Sequence, residues 1–235
     1  MLEINNLNVF AEEKQILYNI NLKIEEGKKT VLMGPNGSGK STICKSLMGD
    51  PSYKIKSGKI ALDGEDITLL PPDEKARRRI FMVFQEPEEI EGLGVMRFLR
   101  ASYSKISKNM DEFSRNLEKE AKEVSLNSEI LSKNLNVTFS GGEKKKLELL
   151  QMILFKPKYA LIDEFDSGLD IDSVKKISQI INSSDAGLLI VTHNPTIFKY
   201  LKVDQVNIIK DGRINTSGGA ALVQKIEKKG FTWTD

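Results

Sequence analysis

Residues 34–41 read Gly-Pro-Asn-Gly-Ser-Gly-Lys-Ser. They fit the pattern G-x-x-x-x-G-K-[ST] at each fixed position, and nothing else in the chain limits its fold so strongly. Glycines let a backbone curl with its N–H groups inward, which makes a nest for an anion. The apolar run Thr30–Met33 before the loop reads as a strand, and Ser41–Met48 after it as a helix. The positive end of that helix points at the same anion. A strand, a phosphate loop and a helix in this order form a βα unit of a nucleotide-binding α/β fold. Gly34, Pro35, Asn36, Gly37, Ser38 and Gly39 build the nest, and Lys40 brings a charged donor to β- and γ-phosphates. The Ser41 hydroxyl can reach Mg²⁺, and Thr42 completes the nucleotide-binding set. Cys44, one turn past Lys40 and beside Leu47 and Met48, reads as a buried core thiol.

Two further stretches carry chemistry. Tyr159–Ile162 is an apolar strand that runs into Asp163 and Glu164. At such a strand end the first carboxylate holds Mg²⁺, usually through water, and the second can orient or deprotonate an attacking water. Phe139-Ser-Gly-Gly-Glu143 precedes a helical run, Lys144–Leu154. Ser140 reads as an N-cap with Glu143 closing a capping box. With Gly141 and Gly142 it also makes a second anion site at a helix start. Two such starts do not fit one nucleotide within one chain. They fit two chains meeting head to tail.

Elsewhere the pattern is that of an α/β domain of ordinary size, with 235 residues. Leu2, Ile4, Leu7–Phe10 and Ile16–Ile24 alternate apolar with polar, as half-buried antiparallel strands do. Between about Glu88 and Leu135, two apolar stripes recur at helical spacing. Met96, Leu99, Tyr103, Ile106 and Met110 form one, and Phe113, Leu117, Ala121 and Val124 the other. This stretch reads as an all-helical insertion. Tyr159–Ile162, Leu188–Val191 and Val206–Ile209 read as short buried strands of a mostly parallel sheet. Lys plus Arg is 35 against 33 Asp plus Glu, so charge gives no case for nucleic acid as a partner. One cysteine and one histidine exclude a disulfide within the chain and a zinc or iron–sulfur site built from it alone. Apolar runs such as Gly187–Val191 fall far short of the ~20 residues that cross a bilayer. No basic-then-apolar leader follows Met1. The expectation is a cytoplasmic protein with no direct membrane insertion.

These motifs, in this order, resemble the ATP-binding cassette (ABC) ATPases along essentially the whole chain. Gly34–Ser41 matches Walker A, and Gln85, after the strand Ile80–Phe84, matches the Q-loop glutamine. Phe139–Glu143 matches the signature motif, with Glu143 where Gln is commoner. Tyr159–Glu164 matches Walker B, Ser167–Asp170 the D-loop, and His193 the switch histidine that contacts the γ-phosphate. The resemblance implies a P-loop NTPase fold of ABC ATPase type, with an N-terminal antiparallel β-subdomain and a helical subdomain insertion. Residues 1–87 and 137–235 would form the catalytic core and residues 88–136 the helical subdomain. It implies ATP and Mg²⁺ as cofactors, with Glu164, His193 and Lys40 as catalytic residues and Ser41, Gln85 and Asp163 around the metal. A transient homodimer would form on ATP binding, with Ser140–Gly142 of one subunit over the nucleotide of the other. Many members stack adenine on an aromatic side chain. By register that place falls near Ala11, with Phe10 beside it either as the stacking ring or as core.

Within the family, several runs look like the SufC branch, the ATPases of iron–sulfur cluster assembly. They are Phe139–Lys146, Asp163–Asp172, Phe84–Gly92, Leu149–Met152 and the ending Lys229–Trp233. Asn194 departs from that branch, which often has Tyr there, and Glu86 and Glu91 replace less acidic residues. The branch implies a separate scaffold of the SufB/SufD type as partner, with Glu86–Glu91 as the docking segment. The alternative is the nucleotide-binding subunit of an ABC transporter. Lys144–Lys146 reads either as a solvated helix face or as a partner of acids such as Glu164.

Overall fold

The computed structural model describes residues 1–231; Thr232 and Trp233, at the end of the last run above, lie outside them. The chain opens with strands β1 (Leu2–Ala11), β2 (Lys14–Ile24) and β3 (Lys29–Met33). Helix α1 (Lys40–Met48), β4 (Tyr53–Leu62), β5 (Glu65–Asp66), α2 (Pro72–Arg77) and β6 (Ile80–Val83) follow. The middle holds β7 (Ile90–Gly94), α3 (Val95–Tyr103), α4 (Met110–Glu123), a 3₁₀ turn at Ser128–Ser132 and β8 (Asn134–Leu135). Then come α5 (Gly141–Phe155), β9 (Tyr159–Asp163), α6 (Ile171–Ser183) and β10 (Gly187–Thr192). A 3₁₀ turn at Pro195–Lys199, β11 (Gln205–Lys210), β12 (Arg213–Gly218) and α7 (Ala221–Lys229) complete the described chain.

In β1 the apolar alternation changes phase, from Leu2 and Ile4 to Leu7 and Val9. All four are nonetheless buried. A slip of one residue flips every later side chain to the other face, so the strand needs a bulge between the two pairs. It has one: Asn6 is left-handed at φ 52°, and the pairing with β2 and β4 shifts there. Asn19 makes the matching break in β2, at φ 53°, between the buried Leu17 and Ile20. Asparagine amides close both breaks. Asn21 Oδ1 accepts from the Asn6 N–H and Asn8 Oδ1 from the Asn19 N–H, each at 3.0 Å. The resulting antiparallel sheet has the order β2-β1-β4-β5.

The second sheet has the order β12-β11-β3-β10-β9-β6. It is parallel from β11 to β6, with β12 antiparallel at the edge. Successive side chains of β9 face opposite ways. Tyr159 and Leu161 pack with α1 and the antiparallel sheet, whereas Ala160 and Ile162 pack under α5 and α6. Both faces are covered, which is why β9 and β10 are apolar without alternation. Each fully buried Leu or Ile there contributes about 1.5–3 kcal/mol.

Two expectations are corrected in the middle stretch. The stripe from Met96 to Met110 is not one helix. Helix α3 ends at Tyr103, Ile106 sits in the turn 48% exposed, and Asn109 caps a new helix by accepting from the Glu112 N–H. Nor is the stretch all-helical. β7 and β8 pair antiparallel, and the Val95 N–H donates to Lys133 O at 2.9 Å, so a short ribbon closes the base of the helices. Two glycines, Gly92 and Gly94, hide that strand from a periodicity search.

Candidate active site

The strand order places the site. β3 ends in the phosphate loop, β10 at His193, β9 at Asp163 and Glu164, and β6 just before Gln85. These four strands are neighbours, in register, and all point the same way. Ligands in open parallel sheets bind beyond such carboxyl ends.

The loop is built tightly. A methyl group on Gly34 would stand 2.1 Å from Ile209 O and 2.7 Å from Ser38 Oγ. Gly39 has φ 102° and would push its methyl into Leu17. The β11–β12 turn braces the loop from behind, where the Gly212 N–H donates to Ser38 O at 3.1 Å. Lys40 Nζ donates to the carbonyls of Gly34 (2.9 Å) and Pro35 (3.0 Å). Burial lowers the lysine's pKa, and the facing Glu164 and Asp163 carboxylates oppose that shift. The Ser41 hydroxyl donates to Asp163 Oδ1 at 3.2 Å. Burial raises the Asp163 pKa, partly offset by that bond and by Lys40.

Glu164 is the hub. Its Oε1 lies 3.0 Å from His193 Nδ1 and 4.0 Å from Lys40 Nζ, and its Oε2 accepts from Gln85 Nε2 at 2.9 Å. Its backbone is left-handed at φ 47°, a conformation that costs a non-glycine residue about 1–2 kcal/mol. Such strain persists where the surroundings fix it. Here the Glu164 N–H donates to Val191 O at 3.0 Å, and Glu164 O accepts from Lys145 Nζ at 2.8 Å.

Lysine 145 corrects the reading of Lys144–Lys146 as a solvated face. It is buried, donates also to Ser167 O at 2.5 Å, and has its pKa lowered by that burial. Its partner in Glu164 is the backbone carbonyl rather than the carboxylate. Lys144 instead pairs with Glu89 at 2.7 Å. Replacing Lys145 by Met leaves the buried Glu164 carbonyl unpaired and removes the donor to the part-buried Ser167 carbonyl, an expected loss of about 2 kcal/mol. Urea unfolding tests this, and an unchanged midpoint refutes it.

Gln85 reaches Glu164 and not the Ser41–Asp163 pair. Ser140 forms the capping box with Glu143: its hydroxyl accepts from the Glu143 N–H at 3.3 Å, and the Glu143 carboxylate accepts from the Ser140 N–H at 2.8 Å. Gly141 is exposed, with open space around its α-carbon. The cavity that Gly141 borders is lined otherwise by Gln85–Glu89, Lys144, Lys145 and Ser167, and by no residue of the phosphate loop. Phe10 is half-buried under Lys56 Nζ, 5.8 Å from its ring. Cys44 is buried.

The residues fit nucleotide and metal. Ser38 Oγ is buried and has no partner among the described residues, and the N–H groups of the first turn of α1 open into the same loop. A hydroxyl and a carboxylate 3.2 Å apart suit Mg²⁺, which takes few protein ligands and fills its shell with water and phosphate oxygens. No cluster of three His, Cys, Asp or Glu side chains able to hold a metal occurs among the described residues.

Two features escape a reading of the sequence. Asp166 accepts from the Thr192 hydroxyl at 3.3 Å and ties the ends of β9 and β10 together. Glu148 is buried in α5 among Leu147, Leu149 and Leu150. A charged residue inside an apolar helical run is the one signal the sequence offers for it.

Comparison with known proteins places this geometry in a family. Residues 17–167 match the family model described as ABC transporter. A probable ABC transporter ATP-binding protein of Streptococcus pyogenes serotype M18 is 41% identical, over 98% of this chain and 93% of its own length. A probable ATP-dependent transporter, ycf16, of Cyanidium caldarium is 42% identical, over 99% and 96%. A solved ATP-binding subunit of an ABC transporter superposes with a TM-score of 0.82 at 25% identity, over 97% of this chain and 93% of that one. The chain belongs to the ABC transporter family of ATP-binding proteins. It is an ATPase that works on ATP with Mg²⁺.

Proposed function

We propose that this chain hydrolyses ATP to drive iron–sulfur cluster assembly on a SufB/SufD-type scaffold. One observation carries the hydrolytic part: Lys40, Gln85 and His193 all converge on the strained, buried Glu164. Mg²⁺, when bound, neutralises charge on the β- and γ-phosphate oxygens. Ser41 and Asp163 would hold it. Lys40 and the loop N–H groups bind phosphate. Glu164 takes the proton of the attacking water, and His193 and Lys40 stabilise the charge that develops. Gly141, open at the start of α5, and Gly142 beside it serve the nucleotide of a second copy, so turnover requires a head-to-tail dimer.

The assembly reading is supported by the runs Phe139–Lys146 and Asp163–Asp172, and by a groove suited to a partner. Gln85, Glu86, Glu88, Glu89, Gly141 and Lys144 are among the residues that line it, and Glu86, Glu88 and Glu89 are exposed. The names carried by the relatives favour a second reading, the nucleotide-binding subunit of an ABC transporter. On the comparisons alone that reading has the better support. No helix among the described residues is long and apolar enough to cross a membrane, so a transporter would need a separate spanning subunit. Affinity purification from the native cells, with partners identified by mass spectrometry, separates the two. A soluble scaffold protein is the expected result, and a polytopic membrane protein would replace the assembly reading with the transporter one.

A further inference from the structure

Among the described residues strand β6 is the edge of its sheet and pairs only with β9, through Val83 opposite Ile162. The next N–H, that of Phe84, lies past the ladder and immediately before Gln85. It donates to Glu148 Oε2 at 3.1 Å. Glu148 is 6% exposed, and its other oxygen accepts from Gln151 Nε2 at 3.1 Å. Three residues earlier on the same face of α5, Lys145 holds the carbonyls of Glu164 and Ser167. One helix face therefore grips the ends of two neighbouring strands, and the same helix begins at Ser140–Gly142.

We propose that Glu148 is a positioning residue for hydrolysis: its carboxylate fixes the Phe84 N–H, which sets Gln85 and so the amide that holds Glu164. Through α5 it ties that arrangement to the helix start that serves the second nucleotide. The role needs a hydrogen-bond acceptor and not a charge. It rests on the reading that Glu164 acts on the attacking water.

The test compares variants of the full chain with Mg²⁺ and ATP. Glu148→Met keeps the volume and removes the acceptor. It lowers kcat by up to about tenfold, the upper end for one lost ordinary hydrogen bond, with KM within about twofold of the parent. Glu148→Gln keeps an acceptor and holds kcat within about twofold. On a Gln85→Ala background, Glu148→Met costs less than about twofold more, because both act through one amide. A parental kcat in Glu148→Met, or its full cost persisting without Gln85, overturns the proposal. Should Glu148→Met not fold, hydrogen exchange on the parent decides: the Phe84 amide exchanges as slowly as the β6 amides, and unprotected exchange refutes the bond. Glu164→Gln assayed in parallel separates the two failures. Turnover that survives there removes the reading beneath. Turnover lost there, with Glu148→Met unaffected, removes only this inference.

Discussion

Replacing Glu164 with Gln cuts steady-state ATP turnover by about 10²–10⁴-fold, the range for loss of a general base, and leaves nucleotide binding intact. The amide has the shape of the carboxylate but cannot take a proton from water. Its one oxygen can still accept from Gln85 Nε2, which meets Glu164 Oε2 at 2.9 Å, while Lys40 Nζ, 4.0 Å from Oε1, loses its carboxylate partner. The loop groups that bind phosphate, Lys40 among them, are untouched. With binding preserved and cleavage stopped, ATP accumulates on the protein and the head-to-tail dimer persists. Phosphate release and size-exclusion chromatography with ATP and Mg²⁺ read both effects. A variant that retains more than about a tenth of the parental rate would take the base role away from Glu164.

The second large effect is on stability, and it has the opposite sign to most substitutions in a core. Burial raises the Glu148 pKa from the ordinary 4.5 to about 7, against the two hydrogen bonds, from the Phe84 N–H and the Gln151 amide, that favour the charged form. No ion pair reaches this carboxylate among the described residues. For an acid whose pKa is raised by folding, the folded chain binds the proton more tightly. The contribution of Glu148 to stability is then most favourable below about pH 4.5, falls as pH rises towards 7, and is flat above. The fall is about 3 kcal/mol for a shift of that size. Glu148→Gln does not titrate. With the Gln151 amide turned over, its oxygen meets the new NH₂ group, at the cost of the 3.3 Å bond from Gln151 Nε2 to Leu147 O. The variant is therefore more stable than the parent at pH 8 by up to about 3 kcal/mol, and equal to it near pH 4.5. Urea unfolding at the two pH values measures the difference, and parallel profiles would show that Glu148 is not held in a raised state.

Together these variants separate two kinds of buried acid. Glu164 is surrounded by donors that can serve a reaction, and its loss stops chemistry. Glu148 keeps a carboxylate where an amide would be more stable. The branch runs Phe139–Lys146 and Leu149–Met152 flank it on either side, so a cost in stability sits inside the segment that points to the assembly reading.

Where local rules act, the sequence is enough. A phosphate loop needs its glycines and lysine in one short run, so Gly34–Ser41 by itself specifies the βα unit. A strand ending in two acids marks Asp163 and Glu164, and a Ser with Glu three residues on marks the cap of α5. Even the bulge at Asn6 is written in the phase change between Ile4 and Leu7, which plain alternation passes over. Glu148 and Asp166 are not legible in this way, and for Lys145 the sequence offers a pairing with an acid such as Glu164 but not the backbone carbonyls it meets, since each acts on a group far away in the chain. Glu148 to Phe84 spans 64 residues, Lys145 to Glu164 spans 19, and Thr192 to Asp166 spans 26. Spacing along a chain carries no distance across a sheet. The order β3-β10-β9-β6 decides that Lys40, His193, Glu164 and Gln85 meet at one edge. That order comes from burying both faces of the sheet at once, which is a property of the packed molecule and of no single segment.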